Sequence, residues 1–332
     1  KLAGRAADLE LVEDVSTHAY TPVLAREAAR FFARHLLGKT VAVDSGTLAS
    51  IEPRRLWCMR SGQVRGEIRG VRAVWEENRD RLAALETARA ALPEARRRRR
   101  ALAWLNAKVR GGRGDAPLNL RVCPKTGTAG KLTADLGYWW SQKGVFNEGL
   151  LFRTDGSRKG SLPVTLALWE GGTTALQRHA SWLRKTCGAG RAVLVLNLSG
   201  MGGIEPNPLN AIPVRAPYGA IHKLNDDLIW LDDSLCALRT WDVLRALEAV
   251  GEWPGLDASD VAVVAHGREG LYAELAAALE PRLTRLKVTE EMESFGAWVR
   301  ARHYEAQGSR AFVLPEVLKY ADLPDFRRWR KA

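Results

Sequence analysis

One short stretch of the sequence has the residue types that could present a nucleophile to a carbonyl carbon. The β-branched apolar run 261–265 predicts a strand, the segment His266–Gly270 predicts a tight turn, and the alanine-rich run 271–279 predicts a helix. A strand, a sharp turn and a helix in this order carry the serine of the G-x-S-x-G motif, whose oxygen attacks esters. In that alignment Gly267 occupies the serine position, and Glu269 occupies the position of the second glycine. The sequence therefore predicts a degenerate nucleophile position at Gly267, because glycine has no side chain that could attack.

Acyl transfer also needs backbone N–H groups that stabilise the oxyanion of the tetrahedral intermediate. The segment Trp169–Gly172 follows a predicted strand, in the position where esterases carry an H-G-G-type oxyanion loop. Gly171 and Gly172 are therefore the predicted oxyanion residues on one side of the site. The N–H of Arg268, one residue after the centre of the turn, is the predicted donor on the other side. A glycine turn that only connects a strand to a helix is the alternative interpretation of residues 171 and 172.

Two serines outside this turn are alternative nucleophiles. Ser199 follows a predicted central strand, where sites often form, and a long irregular segment comes after it. Ser294 follows the acidic run Glu290–Glu293 beyond a later predicted strand. Those carboxylates could mark the acid of a catalytic triad, although acidic residues at a helix start are equally well explained by the helix dipole. Neither serine lies in a strand–turn–helix context.

A histidine would have to act as the general base. His18 lies in a turn between a strand-like segment and an amphipathic helix, and it is the candidate base. His266 adjoins the turn but cannot act on a glycine. His222 and His303 lie in irregular stretches and are interpreted as surface histidines.

The chain divides into three predicted parts. Residues 1–40 contain a strand-like segment at 9–15 and an amphipathic helix at 23–37, which Gly38 ends. Residues 41–137 are predicted to be helical and irregular, with one arginine-rich helix over 79–108. Residues 138–332 alternate strands and helices, the pattern of a mostly parallel sheet covered on both faces. The predicted strands of this third part are 145–153, 162–169, 191–198, 261–265 and 283–289, and its main helices are 175–185, 233–250 and 271–279.

The chain carries a net charge of +12, and Arg96–Arg100 is a run of five arginines. Because a helical turn holds about 3.6 residues, these five side chains cannot share one face. No aromatic stacking pattern and no zinc-ligand spacing accompany the run. The pattern favours a solvated helix, with contact to an acidic partner as the second interpretation, and it does not favour specific nucleic-acid binding.

The four cysteines, Cys58, Cys123, Cys187 and Cys236, are scattered without a C-x-x-C pair. They predict free thiols, one long-range disulfide being the alternative, and neither a metal nor another cofactor is predicted. The sequence holds no apolar run long enough to span a membrane and no visible signal peptide. Since the first residue is Lys1, we interpret the chain as a processed product or a fragment, and the compartment stays open.

Four segments together resemble a known group of proteins. They are Val193–Gly202, Arg239–Leu247, Glu280–Leu283 and Leu314–Asp325. The chain resembles large bacterial α/β-hydrolases related to acetylxylan esterases and prolyl-oligopeptidase-like esterases, which carry two hydrolase-like units in tandem. The resemblance implies a three-layer α/β-hydrolase-like sandwich with a mostly parallel sheet.

The same resemblance implies a function. Residues 1–40 would close a preceding hydrolase unit, with His18 as its catalytic histidine, and residues 138–332 would be a truncated second unit without a nucleophile. A carbohydrate or ester substrate and a secreted or periplasmic location are implied, and the chain is expected to be inactive by itself. The alternatives are an active carboxylic-ester hydrolase with an unrecognised serine nucleophile and a non-enzymatic binding module for acidic polymers.

Overall fold

The computed structural model describes residues 4, 6–43, 51–113, 116–156 and 160–331, and the chain forms two compact units, residues 1–72 and 73–332. The first unit contains helix α1 (Pro22–Leu37) and the short helix α2 (Val64–Glu67). Thr21 caps α1 by accepting a hydrogen bond from the backbone N–H of Leu24, and Gly38 ends it in the left-handed conformation with φ of 63°. The predicted helix and its glycine cap are therefore confirmed. The strand predicted at 9–15 is wrong, because those residues adopt no regular structure and Leu9 and Leu11 are exposed.

The second unit is built on one mixed sheet. Its strands are β1 (Arg121–Ala129), β2 (Leu132–Gln142), β3 (Val145–Thr154), β4 (Leu162–Leu168), β5 (Ala192–Asn197), β6 (Leu256–His266) and β7 (Arg285–Thr289). They lie in the order β1-β2-β3-β5-β4-β6-β7. The first three strands form an antiparallel meander, and β3 pairs with β5 in antiparallel orientation. The pairs β4–β5, β4–β6 and β6–β7 are parallel, so the carboxyl ends of β4, β5, β6 and β7 meet at one edge.

Helices cover both faces of this sheet. They are α3 (Val74–Ala90), α4 (Glu94–Arg110), α5 (Leu176–Gly188), α6 (Ala220–Trp230), α7 (Leu235–Glu252), α8 (Gly270–Leu279), α9 (Phe295–Arg300) and α10 (Leu323–Lys331). Every residue of β5 is buried, and successive side chains point to opposite faces. Val193 and Val195 join an apolar cluster with α5, whereas Leu194 and Leu196 join the larger core with α7 and α8. The protein therefore has the predicted three-layer α/β-hydrolase-like sandwich.

The sheet begins earlier in the chain than the sequence predicted. Strand β1 and most of β2 lie within residues 121–137, which were predicted to be helical or irregular. Most of β1 is exposed, and a register shift between Cys123 and Gly127 interrupts its pairing with β2, so the strand lacks an apolar alternation. The assignment of residues 1–40 to a preceding hydrolase unit stays a prediction.

Two helix predictions need correction. The arginine-rich helix predicted over 79–108 is two helices, α3 and α4, separated at Pro93. Helix α6 was not predicted, because it follows the proline- and glycine-rich segment 200–220 that suggested an irregular structure. Within the described ranges, none of the helices is long and apolar enough to cross a membrane.

Candidate functional site

The predicted strand–turn–helix around Gly267 is present. Strand β6 ends at His266, residues Gly267–Glu269 form a single 3₁₀ turn, and α8 begins at Gly270. Gly267 has φ of 75°, in the left-handed region that glycine adopts at little cost. Gly270 allows α8 to pack closely on the sheet, because a Cβ there would lie 2.2 Å from Cγ1 of Val288 on β7. We call the turn His266–Gly270 between β6 and α8 the elbow. Its backbone has the conformation that the sequence predicted, and the assignment of Gly267 as its nucleophile position stays a prediction.

The loop after β4 is fixed by hydrogen bonds within the turn. The indole Nε1 of Trp169 donates to the carbonyl of Gly172 at 2.8 Å, and the N–H of Gly172 donates to the carbonyl of Trp169 at 3.0 Å. Oδ1 of Asn197 accepts from the N–H of Thr173 at 2.8 Å. Since the Gly172 amide already has a partner, this geometry favours a turn-forming role for that residue. The oxyanion roles of Gly171 and Arg268 stay predictions.

A cavity of about 660 Å³ opens beside the elbow. Its wall includes a stack of rings: the imidazole of His179 lies 3.9 Å from the indole of Trp169 at an interplanar angle of 17°, and Trp182 meets Trp169 edge-on at 5.9 Å. Burial lowers the pKa of His179, and the nearby His266 and Arg178 lower it further. Burial and the two neighbouring side chains therefore favour the neutral form of His179, and the stacked rings give the cavity one aromatic wall. Its remaining lining residues are Glu170, Arg178, Val264, His266, Gly267, Arg268, Glu269, Lys287, Thr289 and Glu290.

His266 is engaged with β7 and the residue that follows it. Its Nδ1 lies 2.9 Å from Oγ1 of Thr289, and its Nε2 lies 3.5 Å from a carboxylate oxygen of Glu290. These contacts hold the ring toward the edge of the sheet at the end of β7. The expectation that His266 does not serve the elbow centre is consistent with this geometry.

A second cavity, of about 270 Å³, lies on the other side of the elbow. Arg239 of α7 forms its buried wall: its Nε donates to the carbonyl of Ser199 at 2.9 Å, and one guanidinium nitrogen donates to the hydroxyl of Tyr272 at 3.2 Å. Arg215 bridges Glu170 and Glu205 at 2.8 and 2.7 Å at the same cavity. Ionic side chains therefore dominate this cavity, in contrast to the ring stack of the first.

The residue that sequence reasoning missed is Glu269. The sequence motif indicates only that Glu269 replaces a glycine, yet its side chain is buried and borders both cavities. Burial raises the pKa of its carboxyl, and the charge of Glu170 raises it further. An acidic residue inside the turn was the available signal, but its burial depends on α7 and on segments far away in the sequence.

Neither alternative serine has a hydroxyl that is bonded to a histidine in the described residues. Ser294 caps α9, because its Oγ accepts a hydrogen bond from the N–H of Ala297 at 2.8 Å. Ser199 is buried after β5, where its N–H donates to Oδ2 of Asp242 at 2.8 Å and its carbonyl accepts from Arg239. In the parts of the chain that the structure describes, no hydrogen bond joins a serine hydroxyl to a histidine ring.

The remaining histidines lie in other environments. His18 belongs to the first unit, where it is exposed in a bend before α1. The prediction that His222 lies in an irregular stretch is wrong, because it lies on α6, with Nε2 at 3.2 Å from a carboxylate oxygen of Asp226. His303 is exposed. The role of His18 as a base stays a prediction, and the surface position expected for His303 is confirmed.

The arginine run packs partly against α10. The guanidinium of Arg97 lies 3.6 Å from a carboxylate oxygen of Asp325 and over the ring of Trp329, and Arg100 lies over the ring of Tyr320. These contacts show that the run serves packing as well as solvation. Among the described residues, the four cysteines are free thiols, and no group of three His, Cys, Asp or Glu side chains has the geometry to hold a metal ion.

Comparison with solved structures supports the fold. A Bacteroides fragilis protein assigned as an acetyl xylan esterase matches with a TM-score of 0.53 and 8% identity, over 69% of this chain and 63% of that one. An acetyl xylan esterase from Paenibacillus sp. R4 matches with a TM-score of 0.42 and 22% identity, over 56% of each chain. A glucuronoyl esterase from Solibacter usitatus matches with a TM-score of 0.38 and 21% identity, over 57% of this chain and 56% of that one.

This chain therefore covers less than two thirds of each of these three structures, and the first of them carries the likeness in fold. No protein-family model matches the sequence, and no curated protein is significantly similar to it.

Proposed function

We propose that this chain is an α/β-hydrolase-like protein that has lost serine acyl-transfer chemistry and holds a carbohydrate ester in the elbow cavity. The observation that carries the proposal is Gly267, which lies at the centre of a complete strand–turn–helix with φ of 75°. Covalent catalysis by this fold needs a side-chain nucleophile at that position. This backbone would present such a nucleophile, and in the proposed alignment a glycine stands at its position.

The alternative of an active esterase with another serine has weaker support. It needs a serine oxygen within hydrogen-bonding reach of a histidine, about 2.6–3.2 Å. Ser294 uses its oxygen to cap a helix, and the hydroxyl of Ser199 is buried without a hydrogen-bond partner among the described residues, so no histidine ring activates it. The described residues therefore favour the loss of a serine nucleophile over the use of Ser199 or Ser294.

The ligand class is inferred from the cavity and from the structural likeness. A volume of about 660 Å³ falls within the range of small-molecule sites, roughly 300–1,000 Å³. Trp169 is buried beneath His179, so the half-buried rings of His179 and Trp182 provide the aromatic surface of the cavity, which is suited to the apolar face of a sugar ring. The similar protein from Bacteroides fragilis is assigned as an acetyl xylan esterase, so acetylated xylo-oligosaccharides are the appropriate probe.

Two measurements test this proposal. Titration with acetylated xylo-oligosaccharides, followed by tryptophan fluorescence and calorimetry, should show saturable binding that Trp182→Ala abolishes. Trp230→Ala is the matched control, since Trp230 is 88% exposed and is not among the cavity-lining residues. Intact-mass analysis after incubation with a fluorophosphonate should show the unmodified chain. A serine adduct would contradict the loss of serine chemistry, and the absence of binding would contradict the ligand assignment.

A further inference from the structure

The vacant position at the elbow is bordered by a carboxyl group. A Cβ placed on Gly267 would lie 3.4 Å from Oε2 of Glu269, and beyond the adjoining residues no other described atom comes within 4 Å of that point. The oxygen of a nucleophilic serine would lie one bond further out from the same Cβ. The Glu269 carboxyl therefore borders the space that such an oxygen would occupy.

Glu269 is a buried acid that interacts electrostatically with three arginines without forming a close ion pair with any of them. It is 7% exposed, and within the described ranges its carboxyl forms no ion pair with a cationic side chain. Burying an unpaired carboxylate is costly, and groups of this kind cluster at functional sites. Because Glu269 borders both the 660 Å³ and the 270 Å³ cavity, a bound ligand can reach its carboxyl.

The surroundings of Glu269 make its carboxylate a stronger base than an ordinary glutamate. Burial raises its pKa, and Glu170 raises it further, whereas a hydrogen bond from its own backbone N–H and the positive charges of Arg239 and Arg268 act in the opposite direction. On the side of the 270 Å³ cavity, the loop after β4, the 200–220 segment, α7, the elbow, α8 and the segment before residue 312 bring titratable or charged groups toward it: Glu170, Arg215, Arg239, Arg268, Tyr272 and Glu305. On the side of the 660 Å³ cavity, α5, β6, β7 and the residue after β7 add further groups: Arg178, His179, His266, Lys287 and Glu290. A general base works best when its pKa lies near the operating pH.

We propose that Glu269 is a general base that activates a water molecule beside Gly267, so that the protein hydrolyses esters without forming an acyl-enzyme. This inference rests on the proposed ligand cavity and goes beyond it by assigning a reaction. Because Gly267 has no side chain, the space beside it can hold the attacking water. The water would donate one hydrogen bond to Oε2 of Glu269 and direct its oxygen toward the carbonyl carbon of the ester.

The proposed reaction is balanced without any further reagent. Glu269 takes a proton from the water as the water oxygen bonds to the carbonyl carbon, and the carbonyl π electrons move to the oxygen. The resulting oxyanion would be stabilised by backbone N–H groups, for which Gly171 and Arg268 are the predicted donors. When the intermediate collapses, the C–O bond to the alcohol breaks, and the leaving alkoxide takes the proton from Glu269. One ester and one water give one acid and one alcohol.

Hydrolysis of p-nitrophenyl acetate and of acetylated xylo-oligosaccharides tests the proposal. The unmodified chain should turn over both, with a rate that rises with pH as the Glu269 carboxyl loses its proton. Glu269→Gln should lower kcat/KM about 100-fold or more, the usual contribution of a general base. Glu280→Gln is the matched control: Glu280 lies at the opposite end of α8, pairs with Arg282, and should leave the rate unchanged.

A second variant keeps the test decisive if Glu269→Gln does not fold. Gly267→Ala fills the space of the proposed water without supplying a nucleophile, and it should also lower kcat/KM. Turnover that persists in a folded Glu269→Gln or Gly267→Ala variant would overturn the proposal. A rate of the unmodified chain that is independent of pH from about pH 4 to about pH 8 would overturn it as well.

The outcomes separate this inference from the proposed function. Saturable binding of acetylated xylo-oligosaccharides without turnover would overturn the role of Glu269 and leave the binding proposal in place. Turnover that a fluorophosphonate abolishes would overturn both, because it would require a nucleophilic serine. Turnover that resists the fluorophosphonate and is lost in Glu269→Gln would support both.

Discussion

Gly172 and Gly267 follow the neighbouring parallel strands β4 and β6, and both have positive φ, at 48° and 75°. Their surroundings differ. A Cβ on Gly172 would lie 2.2 Å from Oδ1 of Asn197 and 2.9 Å from the carbonyl oxygen of Leu196, whereas the nearest atom to a Cβ on Gly267 is 3.4 Å away. Packing therefore demands glycine at position 172, and at position 267 only the backbone conformation favours it. Gly267 lies where a side chain would fit, which is the condition expected of an elbow that has lost its nucleophile.

The largest effect is expected from Gly172→Ala. The added methyl group must displace Asn197 and adopt an unfavourable φ, so the free energy of unfolding should fall by on the order of 3 kcal/mol. Urea denaturation of the variant measures this loss. A loss no larger than that of Gly267→Ala would contradict the conclusion that packing excludes a side chain at position 172 but not at position 267.

Asn197→Ala should have the next largest effect. Its side chain accepts from the N–H of Thr173 and donates to Glu148 and to the hydroxyl of Thr173, all within 2.8 Å. Removing these partners should lower the free energy of unfolding by about 2 kcal/mol. Thr173→Val is the control, since it removes only one of the partners and should cost less. An equal loss in the two variants would show that Asn197 does not hold the loop.

Gly267→Ala should cost less than either of these changes. There is room for the methyl group, so the cost comes from the positive φ and should be about 1 kcal/mol in the free energy of unfolding. The same urea denaturation experiment measures it. A cost near that of Gly172→Ala would mean that position 267 cannot accommodate a side chain.

The smallest effect concerns the ring stack of His179. Its pKa in the folded protein is below the ordinary value of 6.5, because burial and then His266 and Arg178 disfavour the charged form. The unfolded chain therefore binds the proton more readily, and stability should decrease as pH falls below 6.5 toward the folded pKa, with no further loss beyond it. His179→Phe keeps a ring on Trp169 and should flatten this part of the stability profile. Identical profiles of stability against pH for the unmodified chain and His179→Phe would contradict a lowered pKa of His179 in the folded protein.

The sequence predicted the features that neighbouring residues determine better than the features that depend on residues far apart in the chain. The glycine cap of α1 and the strand–turn–helix at Gly267 depend on neighbouring residues, and both are present. Strand β1 was missed because it is mostly exposed and irregularly paired, so no apolar alternation marks it. The burial of Glu269 could not be predicted, since Arg239 lies 30 positions away in the sequence and reaches the elbow only through the packing of α7.

Ester hydrolysis by Glu269 and a water molecule at this elbow would proceed without a covalent intermediate. Rapid-quench mass spectrometry of the unmodified chain during turnover of p-nitrophenyl acetate tests it most directly. We expect the chain to keep its unmodified mass at every time point and product to form without an initial burst. An acetylated chain that appears and decays at the rate of turnover would contradict it.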